Sequence, residues 1–343
     1  MKMPAITVLM PAYNAARFIG PAVESVLQQT FADFELLIVD DASTDNTENV
    51  VSRVADRRIR WIRNPENLQI TGTLNRGLQE ARGEYIARLD ADDLCYPNRL
   101  AEQLRVLEND LSVGLAASWT EIIDEAGQTR GFGNWRLSPE AIYYVLHFRQ
   151  CLTHSSVMFR KALVQDLGGY SSHALKAEDF DLWHRISKIR KIVQLPKVLV
   201  KWRDHRANIS RTGTREMEQG AFQLCKQFIR DLTGEPHPDE IIQGLIDCHT
   251  LRESEPRLRL GFPAALMKIQ RAIAANAPAV YDLAALSEYM QVEAAKYAHL
   301  FRSLHEPFPT ELSTNARALG FLYYLSRCRR LPFVGSVLPK SHF

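Results

Sequence analysis

The chain has 343 residues, of which 46% are hydrophobic and 24% charged, as in soluble globular proteins and unlike disordered, collagenous or coiled-coil chains. Its 42 Lys and Arg residues nearly balance 40 Asp and Glu residues, and this net charge of +2 gives no reason to expect nucleic-acid binding. The 5 cysteines form no CxxC pair, which argues against a disulfide framework or a zinc site and favours the cytoplasm.

The first part of the chain alternates between strand-like and helix-like hydrophobic patterns, which predicts βα units around a mostly parallel sheet. The predicted strands are 6–10, 34–40, 59–63, 84–90 and 113–123. Apolar residues at helical spacing follow four of these strands, beginning near residues 18, 50, 74 and 100. The fold class expected from this alternation is α/β, with helices on both faces of the sheet.

The pattern continues less regularly after residue 138. Here the sequence predicts a helix over 138–148, a short strand over 155–159, a helix over 177–189 and an extended segment over 193–202. Beyond residue 212 the chain is rich in helix-forming residues, so we expect a boundary there and a helical region over 213–343.

Two of the predicted strands end in clusters of carboxylates, Asp40-Asp41 and Asp90-Ala91-Asp92-Asp93. The carboxyl ends of parallel strands share one edge of a sheet, so both clusters are expected to face one crevice. Single aspartates at such ends often cap the next helix, and this is the role expected for Asp93, with ligation of a metal as the alternative. Three carboxylates within four residues repel one another unless a cation neutralises them, and oxygen ligands suit Mg²⁺ or Mn²⁺.

Several segments resemble family 2 inverting glycosyltransferases, which have the GT-A fold and use nucleotide-diphospho sugars. The matching segments are 8–14, 28–31, 39–47, 83–93, 97–100, 152–160, 168–170 and 177–183. The resemblance covers residues 4–211 and implies a catalytic domain over 1–212. Its nucleotide-sugar half would be about 1–110 and its acceptor half about 111–212.

The resemblance implies a nucleotide-sugar site whose residues are Pro11, Ala12, Tyr13, Asp41, Asn67, Arg76, Asp90, Ala91 and Asp92. Tyr13 would stack near the base, and Asp41 would accept a hydrogen bond from a uracil-type base, with Asp40 supporting the turn. Asp90 would reach the ribose or the diphosphate, and Asp92 would bind the metal. Relatives often carry Asn-x-Gly where this chain has Asn67-Leu68-Gln69, which puts the contacts of that loop in doubt.

On the acceptor side, Asp179 resembles the general base of the family, and its neighbour Glu178 is the weaker rival. His205 resembles a late ligand of the metal or diphosphate, and a solvated surface histidine is the equal alternative. His154 is expected to hold the acceptor-side loop. Trp183 fits the core better than an acceptor platform.

The function implied is transfer of a sugar from a UDP-sugar to a hydroxyl of a glycan or lipid-linked acceptor, in cell-envelope polysaccharide synthesis. One base removes the acceptor proton, and a divalent metal offsets the charge of the leaving diphosphate. A metal-dependent nucleotidyltransferase is one alternative, although the loop 11–17 lacks the glycines that cradle a triphosphate. A catalytically silent binding module is the other alternative.

Aromatic and aliphatic residues alternate with arginines between residues 317 and 340. This composition suits an amphipathic segment lying on the cytoplasmic face of a membrane. The favoured interpretation is a terminal helix that packs on its own core or on a second subunit, as in a homodimer. No run of the sequence approaches the ~18 apolar residues of a membrane span, so any membrane contact is expected to be peripheral.

Overall fold

The computed structural model describes residues 3–133, 136–174, 176–206, 208, 214–247 and 256–303. The chain divides into two compact units, Met1–Ser138 with Leu152–Gly213, and Pro139–Cys151 with Thr214–Phe343. The segment 139–151 therefore belongs with the C-terminal helices, whereas the sequence had placed it in the first domain. The tail over 317–340, for which membrane or subunit contact was expected, lies outside the described residues.

The first unit is built on one mixed sheet with nine strands among the described residues. The strands are β1 Ile6–Ala12, β2 Phe34–Asp40, β3 Ile59–Arg63, β4 Tyr85–Arg88, β5 Leu94–Cys95, β6 Val113–Ile123, β7 Thr129–Gly133, β8 Met158–Arg160 and β9 Lys191–Arg203. Their order is β3-β2-β1-β4-β8-β6-β9-β5, and β7 pairs with β6.

The pairing of the strands decides where ligand-facing residues collect. Strands β3, β2, β1 and β4 are parallel, with Ile6 opposite Phe34 and Tyr85. Strand β8 runs antiparallel to both β4 and β6, so the sheet is mixed beyond β4 rather than parallel throughout. Strands β1, β2 and β4 thus end at one edge, and the acidic residues follow them there.

The helices of the first unit are short, and the periodicity predicts all of them except the one over 161–166. They are α1 Ile19–Leu27, α2 Thr47–Ser52, α3 Gln69–Glu80 and α4 Arg99–Asn109. After α5 Pro139–Val145, which belongs to the second unit, come α6 Lys161–Asp166 and α7 Glu178–Ser187. Helix α1 buries Ile19, Ala22, Val23 and Val26 in the same apolar core as strands β1 and β2.

The second unit contains α5 and four later helices among the described residues. These are α8 Thr214–Thr233, α9 Asp239–Ile246, α10 Pro256–Ala275 and α11 Leu283–Ser303. The ring of Tyr143 in α5 stacks on Tyr281 with centroids 4.8 Å apart, and the Cys225 thiol of α8 donates to the carbonyl of Phe148 at 2.9 Å. In the part of the chain that the structure describes, no helix has the length and apolarity that crossing a membrane requires.

Candidate active site

Three carboxylates meet just beyond the end of β4. Asp90, Asp92 and Asp93 can each offer an oxygen such that all three atoms lie within 4.8 Å of one another. Asp93 is buried, whereas Asp90 and Asp92 keep partial exposure to solvent. The clustering of these three acids expected from the sequence is therefore present, and two of the three are accessible to solvent.

Asp90 is fixed by two residues to which the sequence analysis assigned no role. The buried guanidinium of Arg88 forms an ion pair with the carboxylate of Asp90. Ser155 donates its hydroxyl to Asp90 Oδ2 at 3.0 Å and accepts the backbone N–H of Asp90 at 3.0 Å. Arg88 also donates to the Ser155 hydroxyl at 2.9 Å, so the three side chains hold one another in a closed network.

His205 reaches the acidic cluster from the end of β9. Its Nε2 lies 2.8 Å from Asp92 Oδ2, and its ring packs on Phe18 with centroids 4.9 Å apart. The turn that carries it is held by Asn208, whose Oδ1 accepts the His205 N–H at 2.9 Å. The structure therefore places His205 against Asp92 rather than in a solvated position.

Arg203 binds the backbone of the segment that carries Asp92. Its Nε donates to the carbonyl of Asp92 at 2.8 Å, and its Nη1 donates to the carbonyl of Asp124 at 3.0 Å. Its backbone N–H donates to Asp93 Oδ1 at 2.7 Å. Arg203 is buried, so these bonds fix the acidic loop against the end of β9.

Asp93 does not cap the next helix, and that expectation was wrong. Helix α4 begins after Asn98 with no side-chain cap, and strand β5 lies between Asp93 and that helix. Burial, together with the charges of Asp92 and Asp90, raises the pKa of Asp93 well above its usual value. Its Oδ2 is buried without a hydrogen-bond partner among the described residues.

The donor atoms of this cluster fit a divalent cation. They are carboxylate oxygens, which hard cations such as Mg²⁺ and Mn²⁺ prefer, and an imidazole nitrogen of His205 lies beside them. Asp92 and Asp90 raise the pKa of Asp93 by repulsion, and a bound cation would relieve that repulsion.

The predicted nucleoside side lies at the ends of β1 and β2. Pro11 and Ala12 are buried at the end of β1, and Tyr13 beyond them is 53% exposed. Asp41 is buried and donates its backbone N–H to the carbonyl of Ala12 at 2.8 Å. Asp40 is fully buried, and its carboxylate accepts Arg63 Nη1 at 2.6 Å. The structure thus brings the predicted residues of this side to one edge.

The loop that departs from the family pattern keeps a left-handed residue. Gln69 has φ +60°, a conformation that glycine adopts at no steric cost and other residues rarely use. Asn67 Oδ1 accepts the Gln69 N–H at 3.0 Å and its Nε2 at 2.6 Å, which holds the turn closed. The backbone N–H of Leu68 donates to Asp41 Oδ1 at 2.7 Å. The loop therefore contacts Asp41 despite the missing glycine.

The acceptor-side acids stand in the first turn of α7. Glu178 is 7% exposed, and its Oε2 has no hydrogen-bond partner among the described residues. Asp179 is half-buried, and its Oδ1 accepts the Phe180 N–H at 2.7 Å. Burial raises the pKa of Tyr170, and the charges of Glu178, Asp179 and Asp90 raise it further. The charges of both α7 acids and of Asp90 therefore act on one buried side chain, Tyr170.

We expect the stability of the protein to depend on the ionisation of Glu178. Burial, then the charge of Asp179, raise the pKa of Glu178 to about 7 from its usual 4.5. The folded protein therefore keeps a proton that the unfolded chain releases between these pH values, and stability falls as the pH rises through this window. The loss amounts to at most about 3 kcal/mol by pH 8.

Thermal unfolding without added metal at pH 5 and pH 8 tests this dependence. Glu178→Gln keeps the shape of the side chain and cannot ionise, so its unfolding temperature should change less between the two pH values than that of the wild type. Equal changes in both proteins would show that Glu178 already ionises in the folded state at pH 5.

His154 packs against Trp183, which lies on the same helix as Glu178 and Asp179. His154 Nε2 lies 3.0 Å from the Tyr170 hydroxyl, and burial, then the charge of Arg88, lower the pKa of His154 well below its usual value. Trp183 is 0% exposed, and its ring meets the edge of His154 with centroids 5.6 Å apart. Trp183 is thus part of the core and offers no platform to an acceptor.

The loop before α7 is tied to α3 by Asn75. Asn75 Nδ2 donates to the carbonyl of Tyr170 at 2.8 Å, and its Oδ1 accepts the Tyr170 N–H at 2.9 Å. Gly168 and Gly169 precede this pair with φ of +81° and +75°. A Cβ on Gly169 would lie 2.5 Å from Asn75 Oδ1, whereas a Cβ on Gly168 would meet nothing within 4 Å.

This difference predicts unequal costs for two neighbouring alanine substitutions. Gly168→Ala should destabilise the protein by about 1 kcal/mol, the cost of a left-handed alanine. Gly169→Ala should cost about 2–3 kcal/mol, because it also displaces Asn75 from Tyr170. Urea unfolding of both variants measures the difference, and equal free energies of unfolding would mean that Asn75 moves aside freely.

Comparison with known proteins supplies the family. A profile described as "Glycosyl transferase family 2" matches residues 7–168. EpsE of Bacillus subtilis is 35% identical over 187 residues, which are 53% of this chain and 66% of EpsE. A "UDP-Glc:alpha-D-GlcNAc-diphosphoundecaprenol beta-1,3-glucosyltransferase", WfgD of Escherichia coli, is 31% identical over 218 residues, 62% of this chain and 83% of WfgD. The chain belongs to glycosyltransferase family 2. It is a glycosyltransferase, and this expectation from the sequence is confirmed.

Solved structures confirm the GT-A fold of this family 2 member. Staphylococcus aureus TarS residues 1–349 in complex with UDP-GlcNAc superpose with a TM-score of 0.55 at 16% identity, covering 86% of this chain and 92% of that one. The mannosyltransferase PcManGT of Pyrobaculum calidifontis, in complex with GDP-Man and Mn²⁺, gives 0.53 at 23% identity, covering 96% and 89%. At such identities the likeness shows the fold alone. Asp179 and His205 lie beyond the matched residues 7–168.

Proposed function

We propose that this chain transfers a sugar from a UDP-sugar to a hydroxyl of a glycan or lipid-linked acceptor, with inversion at the anomeric carbon. The observation that carries the proposal is the acidic cluster at the end of β4, with His205 held against Asp92. The donor and the acceptor class are supported by WfgD, which uses UDP-Glc and a diphosphoundecaprenol-linked sugar.

One set of residues binds the nucleotide-sugar donor, and another residue acts on the acceptor. Asp41 and Tyr13 receive the nucleoside, and Asp90 faces the ribose and diphosphate. Asp92 and His205 would hold a divalent cation, Mn²⁺ or Mg²⁺. The bound cation would offset the negative charge that gathers on the leaving diphosphate. Asp179 accepts the proton of the acceptor hydroxyl as its oxygen attacks the anomeric carbon.

Glu178 supports the base by staying partly protonated near neutral pH. Its pKa of about 7 keeps about half of its carboxyl neutral at pH 7, so it repels the negative charge of Asp179 less than a fully ionised carboxylate would. Both acids stand at the N-terminus of α7, where the helix dipole favours the ionised form of whichever carboxyl is exposed. Asp179 is the more exposed of the two, and this supports its assignment as the base.

Turnover with defined donors and one acceptor tests the proposal. UDP-Glc, UDP-GlcNAc and GDP-Man are offered in turn with diphosphoundecaprenol-linked GlcNAc, with Mn²⁺, with Mg²⁺ and with EDTA. We expect UDP release that requires acceptor and metal, and an inverted product by NMR. Retention of configuration would overturn the scheme with one base, and full activity in EDTA would overturn the role of the metal. Formation of a nucleotidyl product or the absence of any turnover would favour one of the two alternatives.

A further inference from the structure

Asn64 is a buried amide that connects Asp41 to an arginine. Its side chain is 1% exposed, and its Nδ2 donates to Asp41 Oδ1 at 2.7 Å and lies 3.0 Å from Thr73 Oγ1. Arg76 Nη1 donates to Asn64 Oδ1 at 2.5 Å. The backbone N–H of Asn64 donates to the carbonyl of Asp40 at 2.7 Å. Both ends of the amide are thus in use, on a residue that follows directly after β3.

The orientation of this amide is dictated by its neighbours. A guanidinium only donates hydrogen bonds and an ionised carboxylate only accepts them, so the Asn64 oxygen must face Arg76 and its nitrogen must face Asp41. The arginine polarises the amide, which strengthens the bond that the amide donates to the carboxylate. Arg76 also donates to the carbonyl of Arg63 at 2.8 Å, which anchors the guanidinium in this position.

The same bonds fix which oxygen of Asp41 is left for a ligand. Asp41 Oδ1 accepts Asn64 Nδ2 and the backbone N–H of Leu68, each at 2.7 Å. No hydrogen bond to Oδ2 is found among the described residues. Oδ1 is therefore committed to the protein, and Oδ2 can accept a hydrogen bond from a base.

We propose that Asn64 is a positioning residue for nucleobase selection, and that Arg76 acts through it rather than by touching the nucleotide. With Oδ1 held, Oδ2 of Asp41 selects bases that present an N–H, such as N3–H of uracil. Cytosine presents a lone pair at N3, which a carboxylate repels. This inference rests on the proposed function, in which Asp41 receives the base.

Binding of UDP and CDP in the presence of Mn²⁺, measured by calorimetry, tests the role of Asn64. Asn64→Leu has a similar volume and cannot donate, so we expect UDP to bind about tenfold more weakly while CDP changes little. The preference for UDP should fall by the same factor. Thr73→Val, which removes the other contact of the amide, is the matched control and should keep the preference. An unchanged ratio of the two affinities in Asn64→Leu would overturn the inference.

Arg76→Met separates action through Asn64 from direct contact with the diphosphate or the sugar. It also tests the proposal if Asn64→Leu fails to fold. Loss of the guanidinium should weaken UDP about threefold and leave CDP nearly unchanged, because only the bond to N3–H depends on Asp41. An equal loss for both nucleotides would assign Arg76 to the diphosphate or sugar and overturn its part in the proposal.

The donor assignment can fail separately from this inference. If the wild-type protein binds GDP in place of UDP, the proposed UDP-sugar is contradicted. The ratio of affinities is then measured between GDP, whose base presents N1–H, and ADP, whose base does not. A loss of that ratio in Asn64→Leu supports the inference. A wild type that binds no nucleoside diphosphate overturns both proposals.

Discussion

Asp92→Asn should lower the rate of sugar transfer roughly 10²–10³-fold, the range seen when one group that stabilises developing charge is removed. The substitution keeps the size of the side chain but removes its charge from the acidic cluster. It also replaces an oxygen that lies 2.8 Å from His205 Nε2 by an amide group. We therefore expect the affinity for UDP to lose its dependence on Mn²⁺ as well.

Calorimetric titration of UDP with and without Mn²⁺ gives a measure of Asp92 that is independent of turnover. Asp110→Asn is the matched control, since Asp110 is an exposed carboxylate before β6 that accepts the Ser112 N–H at 2.8 Å. The control should transfer sugar at the wild-type rate. If Asp92→Asn kept both its rate and the effect of Mn²⁺ on UDP binding, Asp92 would not be a metal ligand.

Asp179→Asn should reduce kcat by about 10²–10⁴-fold, the usual contribution of a general base, with little change in the affinity for UDP. An amide cannot accept the acceptor proton, yet it keeps the size of the carboxylate at the start of α7. A loss in kcat without a loss in donor binding is the signature of an interaction made in the transition state.

Two neighbouring acids serve as controls for Asp179. Glu178→Gln should retain most of its turnover, because a pKa of about 7 leaves about half of the wild-type carboxyl already neutral at pH 7. Asp181→Asn breaks the ion pair with Arg185, in which Asp181 Oδ2 lies 2.6 Å from Nη2, and should affect stability more than kcat. An Asp179→Asn variant within threefold of the wild type would move the role of base to one of these two residues.

Much of the fold could be predicted because its signals are local. Strands β2 and β3 have the predicted bounds, and β1 continues only two residues past its predicted end. Strands β1 and β2 are mostly apolar and are bounded by turn-forming or charged residues, and β3 mixes apolar residues with two arginines; sequence patterning detects such segments. The two-residue strand β5 and the exposed edge strand β7 lack such a pattern, and both were missed.

The residues that support the candidate site are the part that sequence reasoning could not reach. Arg203 contacts the carbonyl of Asp92, 111 positions earlier, and Ser155 contacts the carboxylate of Asp90, 65 positions earlier. Neither contact leaves a periodic or spacing signal, because it arises only when the sheet is assembled. Asn64 could have been suspected from its place just after a predicted strand. The acids themselves were found because the carboxyl-end rule applies to any parallel sheet.

The division of the chain limits how this enzyme can be recombined with its relatives. The chain passes from one unit to the other after residues 138, 151 and 213. A single crossover at 213 would import foreign helices while Ile142, Tyr143 and Tyr144, all buried in α5, kept the surface shaped for the original ones. Chimaeras that exchange 139–151 together with the C-terminal helices preserve that packing. We therefore expect that transfer of the helical unit between relatives requires exchange of both segments. Exchange of the C-terminal segment alone is expected to give a misfolded chain.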